Sequence, residues 1–389
     1  MRRPLRERIR QPEPTATTNT CIASAVNGQL EPTCLDQVDF TGTPTSVKQL
    51  LPASPKLASY DAAAISYYFG RWTGSFIEMR GLSQNDAAYN DYGDPFYFGH
   101  STDPLVTIQC QAMWAPCYGH PYQLHIPAKA RATGGSDHHL TVIEPGGMEY
   151  DWWEFPVYPG AQDIVNGQTL KPQSDGVGSM LTGTGFLSKG GATAAGNLQL
   201  AGATLDSELM TGPLSNPTAL TGATIPHALM TGYACGGSHW GGNGPIFPST
   251  RANPPTDNPC QDGKGIPEGS RLWLDLTDTQ IDALNIEPLA KPILKAAHDY
   301  GVFIIDSGGC SQPCASGAGT GIQVGGGGET QQYFSYGNPN PLYSYGSAHG
   351  WAHYNGQNVD RYVYDLLNGT VDWTQHLHVL DPCVTLKTC

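Results

Sequence analysis

Apolar residues in this chain come in short runs, most of them too brief for helices. His139–Ile143 (HLTVI) and Met148–Phe155 (MEYDWWEF) flank Pro145-Gly146-Gly147. Two β-type runs around such a turn predict an antiparallel hairpin. Tyr122–Ile126 sets Tyr, Leu and Ile against Gln and His, the alternation of a half-buried strand. Further strands are expected at Tyr67–Glu78, Phe96–Phe98, Leu105–Gln109, Ile225–Tyr233 (IPHALMTGY), Arg271–Leu276 (RLWLDL) and His376–Leu380. Val302–Asp306 (VFIID) is almost wholly apolar, as a buried strand is.

Helical spacing is rarer. Glu287–Tyr300 carries Leu289, Ile293, Leu294, Ala297 and Tyr300 as one stripe, and Gly301 stands where a helix-ending glycine belongs. Asp278–Leu284 predicts a shorter helix and Asn358–Leu367 a last one. Residues 160–220 are rich in Gly, Thr, Ala and Ser, yet Met180, Leu181, Phe186, Leu198 and Leu200 recur. They are read as a long ordered loop crossing a sheet face, and Ala315–Gly328 as a Gly-rich surface loop. The pattern points to a mainly β fold, a β-sandwich or jelly roll with long Gly/Pro-rich loops and one or two short helices packed on the sheet. Residues 1–60 are expected to be a tail and an arm lying over the body, and residues 61–389 one large domain.

Composition narrows the function classes. Of 389 residues, 48 are Gly and 31 Pro, charged residues make up only 14%, and the net charge is −14. That charge disfavours nucleic acid, which needs a basic footprint. It also disfavours an anionic membrane surface, and no apolar stretch approaches the ~20 residues of a membrane span. The ten cysteines fall into five sequence-local couples: Cys21 with Cys34, Cys110 with Cys117, Cys235 with Cys260, Cys310 with Cys314, and Cys383 with Cys389. Local disulfides in an oxidising compartment follow, and with them a secreted, extracellular protein. A cysteine zinc site would need paired knuckles with histidine, and the short Cys310-Ser-Gln-Pro-Cys314 has no partner knuckle. Met1–Arg10 holds five arginines with no apolar leader after them, so the route of export stays open.

The densest constellation of reactive side chains is Asp137-His138-His139 entering one strand of the hairpin, with Glu149, Asp151, Trp152 and Trp153 on the other. Alternation puts Asp137 and His139 on one face, where a carboxylate can orient an imidazole as a base. A buried histidine satisfied by its neighbour is the competing reading. His227 sits alone in an apolar strand, and Asp306 ends the VFIID strand before Ser-Gly-Gly. Trp152, Trp153, Trp240 and Trp351 offer flat faces on which sugar C–H faces stack. Arg251 and Arg271 could neutralise a uronate. His349-Gly-Trp-Ala-His353 and His376-Leu-His378 carry metal-ligand spacing without a marked third ligand, so a metal is left open. There is no GxSxG elbow, P-loop or HExxH segment, and we expect no cofactor.

The succession DHHLTVIEPGGMEYDWWEF, IPHALMTGY, PEGSRLWLDL, ILKAAHDYGVFIIDSGG resembles a group of secreted, mostly bacterial extracellular proteins without an assigned reaction. Their pattern is Asp-x-His-strand, Ile-x-His-Ala-Leu, Gly-x-Arg-strand and helix-Tyr-Gly-strand-Asp. The resemblance spans Asp137 to Asp306 and places Asp137, His139, His227, Arg271 and Asp306 on motif positions. Gly232–Gly263 and Cys310–Gly328 are elaborations outside it.

Three functions fit. The first is an enzyme acting on an extracellular polysaccharide by hydrolysis or elimination. Its catalytic groups would be Asp137, His139, His227, Asp306 and Glu149, with Trp152, Trp153, Trp240, Arg251 and Arg271 binding substrate. The others are a non-catalytic lectin or adhesion module and an extracellular structural or filament subunit. Clustered Asp/His pairs exceed what sugar binding needs, which favours the enzyme with carbohydrate as partner. The four residues Asp137, His139, His227 and Asp306 are then expected to meet in one polar site. No feature sets an oligomeric state.

Overall fold

The computed structural model describes residues 47–71, 78–82, 95–112, 117–132, 137–144, 148–158, 160–179, 189–199, 202–204, 206–211, 217–232, 244–252, 264–306, 341–356, 359–365 and 371–389. Helix α1 (Asp61–Arg71) is followed by β1 (Glu78–Leu82), β2 (Phe96–Phe98), β3 (Leu105–Ile108), β4 (Tyr122–His125), β5 (Leu140–Ile143), β6 (Met148–Trp153), β7 (Thr169–Leu170), β8 (Ser174–Ser179) and β9 (Lys189–Gly190). Next come α2 (Asp206–Leu209), β10 (Met210–Thr211), β11 (Thr218–Ala219), β12 (Leu229–Gly232) and β13 (Arg271–Leu274). The chain goes on through α3 (Asp278–Ala283), α4 (Ala290–Asp299), β14 (Val302–Asp306) and α5 (Pro341–Ala348). It ends with β15 (Ala352–Gly356), β16 (Val359–Asp365), α6 (Trp373–His376), β17 (Leu377–Val379) and α7 (Pro382–Leu386).

The β-rich expectation holds, with the described strands distributed over several mixed sheets. The largest runs β2-β5-β6-β8-β9, with β2 parallel to β5 and the rest antiparallel. Its apolar face (Leu140, Val142, Trp152) shares a core with Val106, Ile108 and Leu124 of the sheet β4-β3-β7. A second sheet, β12-β14-β13-β17, pairs β12 with β14 in parallel. Val302 and Ile304 of β14 face the core that α4 covers, while Phe303 and Ile305 pack with Val47, Ala195 and Ala228. Burial on both faces is why VFIID reads as a continuous apolar run.

Local chemistry explains the helices. Thr277 caps α3, its hydroxyl accepting from Gln280 N–H while the Gln280 side chain returns to the Thr277 amide, a reciprocal capping box. Helix α4 starts at Ala290, three residues after the expected Glu287, because Pro288 and Pro292 confine its first turns. It ends at Gly301, whose φ of 78° suits glycine. A Cβ there would also stand 2.6 Å from the Leu272 carbonyl oxygen, so the turn and the helix–strand approach both require glycine.

Three expectations fail. The stretch 160–220, read as one long loop, holds β7, β8, β9, α2, β10 and β11, and β8 pairs with β6 in the largest sheet. Tyr67–Phe69 lie in α1 instead of a strand. Asp61 opens that helix, and Ala64 and Ile65 are buried on its inner side, so helical spacing overrides the aromatic run. Conversely, Val359–Asp365 is a strand between β1 and β15, not a helix. Its β-branched and aromatic residues Val359, Tyr362, Val363 and Tyr364 suit a pleated surface. Residues 47–60 run along the body: the amides of Leu51 and Ala58 donate to Asp299 and Val379 carbonyls, and Val47 accepts from Ala228.

Of the five expected cysteine couples, two are present as disulfides among the described residues, joining Cys110 to Cys117 and Cys383 to Cys389. The other three lie outside the described residues: Cys21 with Cys34, Cys235 with Cys260, and Cys310 with Cys314. The loop Ala315–Gly328 lies outside them as well. Among the described residues no helix is long and apolar enough to cross a membrane.

Candidate functional site

The β5–β6 hairpin sets up the site through its register. Thr141 pairs with Asp151, and Ile143 with Glu149. Even-numbered residues of β5 and β6 therefore enter the apolar core, while Thr141, Glu149 and Asp151 share the other face. On the next strand Gly176 stands opposite Asp151 and Gly178 opposite Glu149, so that neighbour adds no side chain beside the carboxyls.

Glu149 and Asp151 are fully buried. Asp151 Oδ1 accepts from the Thr141 hydroxyl at 2.6 Å and Oδ2 from the Gln199 amide at 3.2 Å. The Glu149 side chain hydrogen-bonds Asp151 as well, and two carboxyls can do this only with a proton between them. Burial raises the Asp151 carboxyl to about 7, against the hydrogen bonds from Thr141, Glu149 and Gln199. The Gln199 side-chain amide lies 3.4 Å from His139 Nδ1. Gln199 thus links imidazole and acid pair through its two amides.

Gly191–Gln199 is the strap over this face. Ala192–Leu198 are all buried. At one end Gln199 meets Asp151. In the middle, the Ala195 amide donates to Ile305 O at 3.1 Å and Ala194 N–H to Asp306 Oδ1 at 3.2 Å. The Ala195 carbonyl accepts from Thr250 and Arg251 amides, and Ser249 Oγ donates to Asn197 Oδ1 at 2.8 Å. Arg251 donates to Thr193 O, and its guanidinium occupies the space a Cβ at Gly191 would take. Burial lowers the Arg251 pKa, with Asp306 and Glu268 nearby opposing that shift.

Four of the sequence-predicted set lie along this strap: His139 and Glu149 at its Gln199 end, and Arg251 and Asp306 at Thr193 and Ala194. Asp137 stands at its edge, its Oδ1 accepting from the Trp153 indole at 3.2 Å. It holds that indole, a contact the expectation of Asp137 orienting His139 did not include. Beside it His138 stacks on Tyr158 at 4.3 Å, and Tyr158 is 45% exposed.

Three candidates lie elsewhere. Trp152 is fully buried among Tyr150 and Phe155, with Nε1 donating to the Tyr122 hydroxyl. It fills the core and offers no face to a sugar, because the alternation that aims Asp151 at the seam aims Trp152 inward. Arg271 is buried too, donating to the backbone carbonyls of Tyr300 and Gln49, each at 2.6 Å, and lying over the Phe303 ring. Burial pulls its pKa down to about 9; the guanidinium ties strands to the arm and is not placed for a uronate. His227 is held by Glu208 at 3.1 Å and by the Ala228 carbonyl at 2.9 Å. Burial lowers its pKa, but the Glu208 charge and these bonds outweigh it, so the net shift is upward. Gly232, five residues beyond His227, is the partner of Asp306. At ~3.3 Å per residue this puts His227 and Asp306 ~15 Å apart along the strands, so the four-residue meeting does not form. Trp240 lies outside the described residues.

The suspected metal histidines have separate partners: His349 with Glu287, His353 with Asp360, His376 with the Asp275 carbonyl and His378 with Asp61. Among the described residues, metal-ligand spacing appears instead on the apolar side of the large sheet, where His120 and Asp175 stand beside the Cys110–Cys117 disulfide. Sequence reasoning passed over Thr141, Gln199, Glu268 and Asp175. The small-residue run Gly-Gly-Ala-Thr-Ala-Ala-Gly-Asn was the available signal, since only small side chains let a strap lie this close to two sheets. Compared with protein-family models, curated proteins and solved structures, the chain matches none.

Proposed function

We propose that this is a secreted carbohydrate-active protein that turns over an extracellular polysaccharide by acid–base chemistry at the seam under Gly191–Gln199. The observation that carries the reading is the buried Glu149–Asp151 pair, with Asp151 raised to about 7, linked through Gln199 to His139. A carboxyl that titrates near neutrality is suited to give and take a proton at the pH where the protein works. Directly hydrogen-bonded carboxyls are closer than the ~5 Å between the acid and nucleophile of retaining glycosidases. Glu149 and Asp151 therefore act as one proton-holding unit, and His139 is the second group. Trp153, fixed by Asp137, supplies the stacking surface at the rim. The two disulfides support secretion.

A lectin reading is favoured by the rim alone. An indole held by a carboxylate and a His138–Tyr158 stack suffice to bind a sugar without chemistry. A panel of neutral and uronate polysaccharides separates the two, assayed for new reducing ends and for the ultraviolet absorbance of unsaturated products. Turnover lost by at least ~100-fold in Glu149→Gln and His139→Ala, with native circular dichroism, supports the enzyme. Binding without turnover that weakens in Trp153→Ala supports the lectin. Neither turnover nor binding across the panel overturns both.

A further inference from the structure

The apolar face of the large sheet carries one group of side chains that the seam does not use. Asp175 of β8 points into the core beside Trp152, fully buried. Its Oδ1 accepts from the Tyr118 amide at 2.7 Å, and its Oδ2 from the Tyr122 hydroxyl at 2.8 Å and from His120 Nε2 at 2.7 Å. The sulfurs of Cys110 and Cys117 adjoin them, and one donor atom from each of the four residues lies within 4.8 Å of the others. A disulfide alone accounts for the sulfurs. It does not account for a buried carboxylate and an imidazole converging on them.

We propose that Cys110, Cys117, His120 and Asp175 form a zinc site that becomes available when a dithiol reduces the Cys110–Cys117 disulfide. The reductant is oxidised to its own disulfide, two thiols form, and each loses its proton to solvent on binding the cation. Tetrahedral zinc, with bonds of ~2.0–2.3 Å to sulfur, nitrogen and oxygen, spaces its ligand atoms ~3.3–3.8 Å apart. The group meets that spacing after the sulfurs part and the 2.7 Å His120–Asp175 contact opens around the ion.

The second contacts are already built. His120 Nδ1 lies 3.1 Å from the Cys110 amide and 3.3 Å from the Ile108 carbonyl oxygen. With the proton on Nε2, Nδ1 accepts from Cys110 and Nε2 donates to Asp175. With the proton on Nδ1, the ring donates to Ile108 and turns the Nε2 lone pair toward the site. A backbone carbonyl behind the far ring nitrogen is how proteins fix a metal-bound histidine. Tyr118 N–H and Tyr122 O–H orient the carboxylate in the same way.

The test uses the full chain, reduced with an excess of dithiol, exchanged into reductant-free anaerobic buffer, and titrated with Co2+ and then Zn2+. Reduced wild type should take up one equivalent more than the double variant Cys110→Ser with Cys117→Ser, with the thiolate-to-cobalt charge-transfer band that Zn2+ displaces. His120→Ala and Asp175→Asn should each weaken uptake at least ~10-fold. X-ray absorption at the zinc edge then counts ligands in wild type, independently of whether any variant folds. Two sulfurs with two lighter atoms are expected at the additional site. Equal uptake in wild type and the double serine variant, undiminished affinity in His120→Ala and Asp175→Asn, or an all-sulfur shell would overturn the site.

Discussion

Replacing Asp151 by Asn removes an ionisation that folding makes costly, and the cost can be worked out. The unfolded carboxyl titrates at 3.8 and the folded one at about 7. At ~1.4 kcal/mol for each pH unit between those values, the folded state holds this proton more tightly by up to ~4 kcal/mol. A carboxyl raised in this way contributes stability that is complete below about pH 4. That stability drains as the pH climbs to about 7, because the unfolded chain releases the proton first. Wild type should therefore lose stability between about pH 5 and about pH 8 faster than Asp151→Asn, by at least ~2 kcal/mol. Urea denaturation at both pH values measures it. Thr141→Val deletes the hydroxyl that donates to Asp151 Oδ1. It should carry the loss to higher pH, since that bond favours the ionised form. Parallel pH profiles for wild type and Asp151→Asn would refute the claim that burial holds this proton.

Three further outcomes follow from buried contacts. Arg271→Ala leaves the carbonyls of Tyr300 and Gln49 without their donor and opens a cavity. It should cost about 3 kcal/mol or more by denaturation, while a cost under ~1 kcal/mol would show the guanidinium to be dispensable. Glu208→Gln removes the charge that raises His227. The stability from that raised histidine is full below the unfolded value of 6.5 and lost as pH rises through the folded one, so the variant should be weakened most in acid, by about 3 kcal/mol; thermal melts either side of neutrality would expose an equal loss. Gly269 has φ of 88° and a Cβ there would stand 1.6 Å from the Ile246 carbonyl oxygen, whereas Gly222 has φ of 72° with open space around it. Gly269→Ala should therefore lower stability by at least ~2 kcal/mol and Gly222→Ala by only ~1 kcal/mol; similar melts for the two would disprove the collision.

Where sequence period and burial agree, the fold was legible. HLTVI and MEYDWWEF became β5 and β6, and VFIID became β14 with the same bounds. Pairing across the hairpin also brought Asp137 to Trp153. Legibility ended where a long-range partner sets a residue's role. His139 and His227 look alike as histidines in apolar runs. One reaches the strap through Gln199, and the other pairs with Glu208 on a helix. Trp152 and Trp153 are adjacent, and the register of β6 alone sends one inward and leaves the other half-buried. The Tyr67–Phe69 aromatics read as strand because their helix is defined by Asp61, Ala64 and Ile65, which precede the aromatic run. Asp175 gave no warning: it follows Ser in a Gly-rich stretch, and its partners His120 and Tyr122, one in a loop and one opening β4, stand more than fifty residues earlier.

The strap makes the molecule mechanically indivisible along its middle. Ala194 and Ala195 are tied to Asp306 and Ile305 on one sheet while Gln199, a few residues on, is tied to Asp151 on the other. Peeling the second sheet away drags the strap off the carboxyls, and loosening the hairpin frees the strap from β14. Both motions expose the same buried amides, so neither half has a low-energy opening of its own at this line. The amide protons of Ala194, Ala195 and Gln199 should exchange with solvent together and at the rate of global unfolding. Under the proposed function, substrate would therefore reach the acid pair from the half-buried Gln199 end of the strap, and not by the strap lifting.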